Sequence, residues 1–347
     1  MANTERTEIS SLGEFGIIKQ LTAGIIAKNK STLLGPGDDA AIIKCPEGHV
    51  QVVTTDMLLE GVHFDLTYCP LRHLGYKSVV ANISDICAMN ARPQQLVVGL
   101  GLSNRFSLEA VEELYAGMLL ACEKYGVDLV GGDTTSSRAG LVISITALGY
   151  GEESKLCTRS GARDSELLVV TGDLGGAYLG LQVLEREKLV FQEAPGSQPS
   201  LIGYDYILER QLKPEARLDM VELLDQLQVQ PTSMIDISDG LASEIKHLAE
   251  CSDVGFDLYA DKIPVSPKTM ETAKEFNLDF ITCALSGGED YELLFTIKQK
   301  DYDLIKGNPN FTVIGHATPS VQGCRLIPTH GDAIELRAQG WDGLHVK

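Results

Sequence analysis

Short aspartate-containing segments, each flanked by glycine, threonine or serine, recur six times along this 347-residue chain. In chain order they are GPGDDAA (35–41), TTDMLLEGVHF (54–64), NISDICAMNARP (82–93), GGDTTSS (131–137), DISDGL (236–241) and SGGEDYELLF (286–295). Asp56 and Asp133 each come at the end of an apolar run, and ligands of open α/β sheets bind where strands end. The pattern predicts an α/β fold whose chemistry lies in these acidic segments.

Apolar runs typical of strands alternate with segments of helical period. The predicted strands cover 51–55, 96–102, 141–150 and 167–171. A helix is predicted over 107–125, with Ser107 as its N-cap and Gly126 as its stop. Apolar content drops at 151–165, which predicts two domains, 1–150 and 151–347. The segment 188–200 carries two prolines and a glycine and is interpreted as a mobile insertion.

Charge and composition limit the partners of the chain. Acidic residues number 48 and basic residues 29, a formal charge of −19 that argues against nucleic acid and anionic membranes. No apolar run approaches a membrane span, and the start MANTERTEIS lacks a secretory pattern. None of the eight cysteines forms a C-x-x-C pair, so we expect small buried thiols in a reducing cytoplasm.

If the acidic segments meet in space, their charges need an explanation. Two carboxylates ~4 Å apart repel by ~4 kcal/mol at an effective dielectric constant of ~20. Either the carboxylates are apart and solvated, or cations hold them together. The donors are all oxygen, which suits Mg²⁺ or Ca²⁺, and EF-hand spacing is absent. Because Mg²⁺ takes few protein carboxylates and adds phosphates, the pattern predicts a metal–nucleotide phosphate site. The chain has neither a P-loop nor a kinase H-R-D motif.

The ordered set GPGDDAA, TTD…GVHF, NISD, GGDTTS, RSGA, ISDGL and SGGEDYEL resembles the bacterial thiamine-monophosphate kinases. That family belongs to the aminoimidazole ribonucleotide synthetase superfamily, and the resemblance extends from about residue 12 to the C-terminus. It implies a two-domain α/β fold of the α+β type. The N-terminal domain (1–150) would hold a mixed sheet, the metal and ATP site and the dimer contact. The C-terminal α/β domain (151–347) would complete the nucleotide and substrate site. It also implies a homodimer that transfers the γ-phosphate of ATP to thiamine monophosphate.

Matching motif positions imply three groups of site residues. The positions matching magnesium ligands are Asp39, Thr54, Thr55, Asp56, Asp85, Asp133, Asp236 and Asp239. The positions matching nucleotide contacts are Tyr115, Gly132, Asp133, Arg159 and Ser238. The positions matching the thiamine-phosphate site are His63, Glu289 and Trp341.

Several of these residues have a structural interpretation beside the functional one. Tyr115 lies on the apolar stripe of the predicted helix, which favours core packing. Arg159 lies in a polar linker, where arginine is usually solvated, although its donors suit phosphate oxygens. His63 can be a turn histidine with satisfied hydrogen bonds. Trp341 can stack on the substrate or anchor the C-terminus.

The implied reaction fits the residue types present. A phosphate monoester has a second pKa of ≈ 6, so the acceptor is mostly a dianion at neutral pH and needs no general base. The motifs contain no evident His–Asp or Ser–His pair. Such a reaction requires positioning and charge neutralisation, here expected from several Mg²⁺ ions. We therefore expect direct in-line transfer without a phosphoenzyme.

Two other functions stay open at this point. A selenophosphate or aminoimidazole ribonucleotide synthetase-like enzyme of the same superfamily would share the aspartates. However, selenophosphate synthetases carry a cysteine or selenocysteine near the N-terminus, whereas here no cysteine precedes Cys45. SGGEDYEL is not the pattern of the ribonucleotide synthetases. The related carbamoyl dehydratases end in a catalytic cysteine, which the tail LHVK lacks. From a different class, a metal-dependent nucleotide sensor would bind ATP without turnover.

Overall fold

A computed structural model of the chain describes residues 20–34, 42–196 and 198–337. Contacts divide the chain into two compact units. The first comprises Met1–Ile86 with Ala91–Glu153, and the second comprises Cys87–Asn90 with Ser154–Lys347. Each unit contains a mixed β-sheet and helices.

The first unit is built on a four-stranded sheet. Its elements, in chain order, are β1 (Thr32–Leu34), β2 (Ile42–Ile43), β3 (His49–Leu59), α1 (Leu71–Ala88), β4 (Arg92–Leu102), α2 (Leu108–Tyr125), β5 (Asp128–Ser136) and β6 (Val142–Glu152). The sheet order is β3-β6-β4-β5, with β4 and β5 parallel and the other neighbours antiparallel. Strands β1 and β2 form a separate antiparallel pair.

The helix α2 begins and ends where its local signals predict. The Ser107 side chain accepts a hydrogen bond from the Ala110 amide, and Gly126 ends the helix in the left-handed conformation. Its buried positions include Val111, Leu114 and Met118. The predicted helix is therefore confirmed.

Helices α1 and α2 approach closely through two glycines. A Cβ atom at Gly75 would lie 1.9 Å from the Leu114 carbonyl oxygen, and one at Gly117 would lie 1.8 Å from the Arg72 carbonyl oxygen. No side chain fits at either point, so both glycines are required for this crossing. The crossing fixes the position of α1, which carries the NISD motif.

The two faces of the four-stranded sheet differ in burial. Residues on one face of β4 and β6, including Val98, Ile143 and Ile145, are almost fully buried. Residues on the other face of β3 are exposed, with Val53 at 59% and Met57 at 56%. Alternation along the strand places Thr54 and Asp56 on the opposite face from these two residues.

The second unit is built on a seven-stranded sheet. Its elements are β7 (Leu167–Thr171), α3 (Gly176–Glu193), α4 (Asp205–Leu212), α5 (Leu218–Gln226), β8 (Ser233–Asp236), α6 (Leu241–Ser252), β9 (Val254–Tyr259), α7 (Pro267–Glu275), α8 (Phe280–Ser286), β10 (Leu293–Ile297), α9 (Tyr302–Ile305), β11 (Phe311–Pro319), β12 (Cys324–Ile327) and β13 (Ile334–Glu335). The order is β13-β12-β9-β11-β7-β10-β8, and β9 and β12 are parallel.

Two apolar clusters support this second unit. The larger includes Leu168, Ile235 and Phe256 from the sheet and Ile245 from α6. The smaller includes Leu179 and Val183 of α3, and Ile207 of α4. The smaller cluster holds α4 beside α3 and thereby fixes the position of the polar side chains on α4.

Several sequence-based expectations were wrong in detail. Strand β3 continues past Thr55, so Asp56 lies inside it, because the ladder with β6 runs from His49 to Leu59. Asp133 likewise lies inside β5. The acidic NISD segment lies in the last turns of helix α1 and not at the end of a strand. Residues 188–193 of the predicted insertion belong to α3.

The cysteines are only partly as expected. All eight are free, and five are buried: Cys69, Cys87, Cys122, Cys157 and Cys283. Cys45 and Cys251 are exposed, which corrects the expectation of burial for these two. Among the helices described, none has the length and apolar character needed to cross a membrane.

Candidate functional site

Polar groups of four residues of the first unit, Thr54, Asp56, Asn82 and Asp85, meet between β3 and α1. Thr54 Oγ1 donates to Asp85 Oδ2 at 2.6 Å. The backbone amide of Asp56 donates to Asn82 Oδ1 at 3.2 Å, and Asn82 Nδ2 donates to the Ser78 carbonyl at 3.1 Å. Asn82 is completely buried. These hydrogen bonds join β3 to α1 next to the carboxylates of Asp56 and Asp85.

The electrostatics of Asp56 reflect this placement. Burial, followed by repulsion from the Asp85 carboxylate, raises the pKa of Asp56 to about 6. Charge on Asp56 is therefore unfavourable in the protein alone. A cation at this position would remove that penalty.

The donors of this cluster suit magnesium. Thr54, Asp56 and Asp85 offer hydroxyl and carboxylate oxygens, which hard cations prefer. Within residues 20–34, 42–196 and 198–337, no three carboxylate, imidazole or thiol side chains lie close enough to hold a metal ion. Mg²⁺ characteristically uses one or two protein carboxylates and completes its shell with phosphates and water. The residues present fit an ion of that kind.

Other predicted site residues of the first unit lie apart from this cluster. Thr55 points to the opposite face, where its hydroxyl donates to the Ile145 carbonyl at 3.1 Å. Gly132 and Asp133 lie on β5, and two strands separate β5 from β3. At the usual spacing between strands, the Cα atoms of Asp56 and Asp133 are therefore about 14 Å apart across the sheet. Asp133 is exposed. Its predicted roles in metal and nucleotide binding stay predictions.

His63 and Tyr115 occupy contrasting environments. His63 is exposed in the turn after β3, and its Nδ1 accepts a hydrogen bond from the Leu59 amide at 3.0 Å. Tyr115 is buried in α2, and burial raises the pKa of its hydroxyl to about 12. Packing accounts for Tyr115 in this unit, while its nucleotide contact stays a prediction.

Acidic side chains of the second unit gather where β8 leads into α6. Asp236 is buried at the end of β8, and Asp239 follows in the loop. The Asp239 amide donates to Glu244 Oε1 at 2.9 Å. Burial, with added repulsion from Asp236 and Asp239, raises the pKa of Glu244 to about 8. Glu244 was not among the predicted site residues.

Arg159 lies within the electrostatic reach of this acidic group. Burial raises the pKa of Asp239, and the charges of His247 and of the exposed Arg159 side chain both oppose that rise. Glu289 adds repulsion to the same carboxylate. The second unit therefore brings a predicted nucleotide contact, a predicted metal ligand and a predicted substrate contact into one neighbourhood.

The loop 287–291 lies against the loop after β8. The Glu289 amide donates to the Ser238 carbonyl at 2.7 Å. A Cβ atom at Gly288 would lie 2.3 Å from that same oxygen, so glycine is needed for the approach. The DISDGL and SGGEDYEL motifs thus form one structure.

Sequence reasoning missed several residues of this region. Asn82, Asp290 and Glu292 lie inside quoted motifs and could have been singled out there as buried polar groups. Arg210 and Gln211 lie in α4, and nothing in that segment marks them as partners of a distant loop. Two predicted residues, Asp39 and Trp341, lie outside the described residues.

Comparison with known proteins gives a consistent result. Residues 37–150 match the family model "AIR synthase related protein, N-terminal domain". The thiamine-monophosphate kinase of Bacillus subtilis (strain 168) is 31% identical over 339 residues, covering 95% of this chain and 99% of that protein.

Solved structures agree with the sequence match. The thiamine-monophosphate kinase of Stenotrophomonas maltophilia K279a superposes with a TM-score of 0.75 at 30% identity, covering 89% of this chain and 94% of that one. A structure of AaThiL complexed with AMPPCP and TMP gives a TM-score of 0.72 at 30% identity, covering 98% and 99%. These likenesses confirm the predicted synthetase-like fold.

Proposed function

The chain belongs to the thiamine-monophosphate kinase family, and from that premise we propose that it phosphorylates thiamine monophosphate by direct, magnesium-dependent transfer from ATP. The products are thiamine diphosphate and ADP. The observation that carries the proposal is the cluster of Thr54, Asp56 and Asp85, whose oxygens suit a magnesium ion that also binds phosphate. Neither a selenophosphate or aminoimidazole ribonucleotide synthetase-like enzyme nor a non-catalytic nucleotide sensor has comparable support.

We assign magnesium binding first to Thr54, Asp56 and Asp85. The remaining assigned positions are Asp39, Thr55, Asp133, Asp236 and Asp239. Bound magnesium would neutralise charge on the phosphoryl group during transfer. Asn82 supports the cluster by fixing the backbone of Asp56.

Nucleotide and substrate contacts are assigned by the same motif positions. The nucleotide contacts are Tyr115, Gly132, Asp133, Arg159 and Ser238, and the substrate contacts are His63, Glu289 and Trp341. The guanidinium of Arg159 suits phosphate oxygens. The carboxylate of Glu289 offers a charge opposite to that of the thiazolium ring.

The division of work between units follows these assignments. The first unit would bind metal and ATP and would form the dimer contact. The second would supply the remaining nucleotide and substrate groups. The exposed Val53 and Met57 on one face of β3 support a homodimer formed through this sheet. The five buried free thiols support a cytoplasmic location, where such thiols stay reduced.

A substrate panel tests the proposed function. The protein is incubated with Mg²⁺-ATP and either thiamine monophosphate, selenide or formylglycinamidine ribonucleotide, and ADP is measured. We expect sustained ADP formation with thiamine monophosphate alone. ADP formation with another acceptor, or nucleotide binding without turnover, would reject the proposal.

A labelling experiment tests direct transfer. The acceptor dianion is already nucleophilic, so no enzyme-bound phosphate is required. After incubation with γ-labelled ATP alone, the denatured protein should carry no label. Label that survives denaturation would contradict direct transfer.

A further inference from the structure

The loop 287–291 holds a strained backbone. Glu289 and Tyr291 have φ values of +66° and +53°, in the left-handed region that favours glycine. Non-glycine residues persist there when the surrounding structure fixes them, and such positions cluster at functional sites. The contacts that fix this loop therefore bear on its function.

The loop is held first through its backbone and the Asp290 side chain. The Glu289 and Tyr291 amides donate to the carbonyls of Ser238 and Ile237 at 2.7 and 2.9 Å. The Asp290 carboxylate accepts from the Gly175 amide at 2.7 Å, at the start of α3. Asp290 is completely buried, so it acts as an anchor and not as a ligand.

Arg210 of α4 provides the second anchor. Its Nη1 donates to Glu292 Oε1 at 3.0 Å, and its Nη2 donates to the carbonyls of Asp173 and Asp290 at 2.9 and 3.3 Å. Although burial lowers the pKa of Arg210, the carboxylates of Glu292 and Asp290 outweigh it and raise the pKa, so the cation is retained. Arg217 donates to the other Glu292 oxygen at 2.6 Å.

Gln211, the residue after Arg210 in α4, contacts the half-buried side chain of Glu289. Gln211 is 6% exposed, and its Nε2 donates to Glu289 Oε2 at 2.9 Å. Thus α4 fixes the backbone near Glu289 through Arg210 and the Glu289 carboxylate itself through Gln211. A carboxylate held in one orientation loses less conformational freedom when it binds a ligand.

We propose that Gln211 is a positioning residue for substrate binding, because it fixes the Glu289 carboxylate from the neighbouring helix α4. The inference rests on the proposed role of Glu289 as a contact to thiamine monophosphate. Gln211 acts through Glu289 and makes no substrate contact of its own.

The test is a steady-state comparison of Gln211→Leu with the wild-type protein. Leucine keeps the side-chain size and removes the donor. We expect KM for thiamine monophosphate to rise about tenfold, while kcat and KM for ATP stay within about twofold. A matched control is Gln299→Leu, whose amide donates to the Ser165 carbonyl at 2.9 Å and should leave all three constants unchanged. Gln211→Met, which also lacks the donor, replaces Gln211→Leu should that variant not fold.

A double-mutant cycle with Glu289→Ala separates the inference from the proposed function. In the Glu289→Ala background, Gln211→Leu should cause no further rise in KM. A further rise of similar size would overturn the positioning role. If Glu289→Ala raises KM but Gln211→Leu does not, the inference is wrong and the substrate role of Glu289 stands. If Glu289→Ala leaves KM unchanged, both the substrate role and the inference fail.

Discussion

Asp56 and Asp85 illustrate how single residues prepare the proposed site. Both carboxylates are half-buried, and their mutual repulsion contributes to the raised pKa of Asp56. Thr54 orients Asp85 through its hydroxyl, and Asn82 fixes Asp56 through its backbone amide. These hydrogen bonds order the site, whereas the repulsion between the two carboxylates destabilises it when no cation is bound.

Asp56→Asn tests this electrostatic cost in EDTA. The substitution removes one of two repelling charges, so the variant should melt at or above the wild-type temperature. Differential scanning fluorimetry with and without Mg²⁺ measures the effect. A clearly lower melting temperature in EDTA would mean that Asp56 has a structural role instead.

Glu244 predicts a pH dependence of stability. Its folded pKa, about 8, lies above its ordinary value of 4.5, so the folded state holds an extra proton between these values. The free energy of unfolding in EDTA should therefore fall as pH rises from about 5 to about 8. Glu244→Gln keeps the acceptor for the Asp239 amide and should flatten this slope, as urea unfolding can measure. The exposed Glu250 on the same helix provides the control Glu250→Gln, and equal slopes in all three proteins would refute the assignment.

At the scale of elements, local signals and long-range contacts divide what the sequence can predict. Helix α2 and strand β7 were predicted because their caps, turns and apolar patterns are local. The full length of β3 was not, because pairing with β6 decides it. The pairing of Gln211 with Glu289 joins residues 78 positions apart, and no periodic pattern encodes it. The sequence motifs therefore indicated the acidic segments better than the distant residues, such as Gln211, that hold those segments in place.

The crossing of α1 and α2 is the element that positions Asp85. Gly117→Ala would place a Cβ atom against the Arg72 carbonyl, so the helices must separate. We expect a loss of at least about 2 kcal/mol in unfolding free energy, measured by urea denaturation. Gly24→Ala is the matched control, because nothing lies within 4 Å of its Cβ position. Similar stabilities for the two variants would show that the crossing tolerates a methyl group.

At the scale of the whole molecule, the exposed face of the four-stranded sheet is the feature that bears on assembly. Val53 and Met57 are each more than half exposed on the central part of β3. Large exposed apolar side chains on one face are typical of an interaction surface. The proposed homodimer would cover them.

Met57→Glu tests that assembly. A charge placed in an apolar contact should shift the protein from dimer to monomer, measured by light scattering after size-exclusion chromatography. Leu120→Glu, an exposed apolar position on α2, is the control and should leave the mass unchanged. A monomeric wild-type protein, or a Met57→Glu variant that stays dimeric, would argue against this interface.

The most direct test of the account is the initial rate of thiamine diphosphate formation from ATP and thiamine monophosphate across a magnesium titration. The wild-type rate should require Mg²⁺. Asp56→Asn, compared at saturating Mg²⁺, should be slower by at least ~10² because it removes a charge that acts during transfer. A near-normal rate for Asp56→Asn, or a wild-type rate indifferent to Mg²⁺, would contradict the magnesium site proposed at Thr54, Asp56 and Asp85.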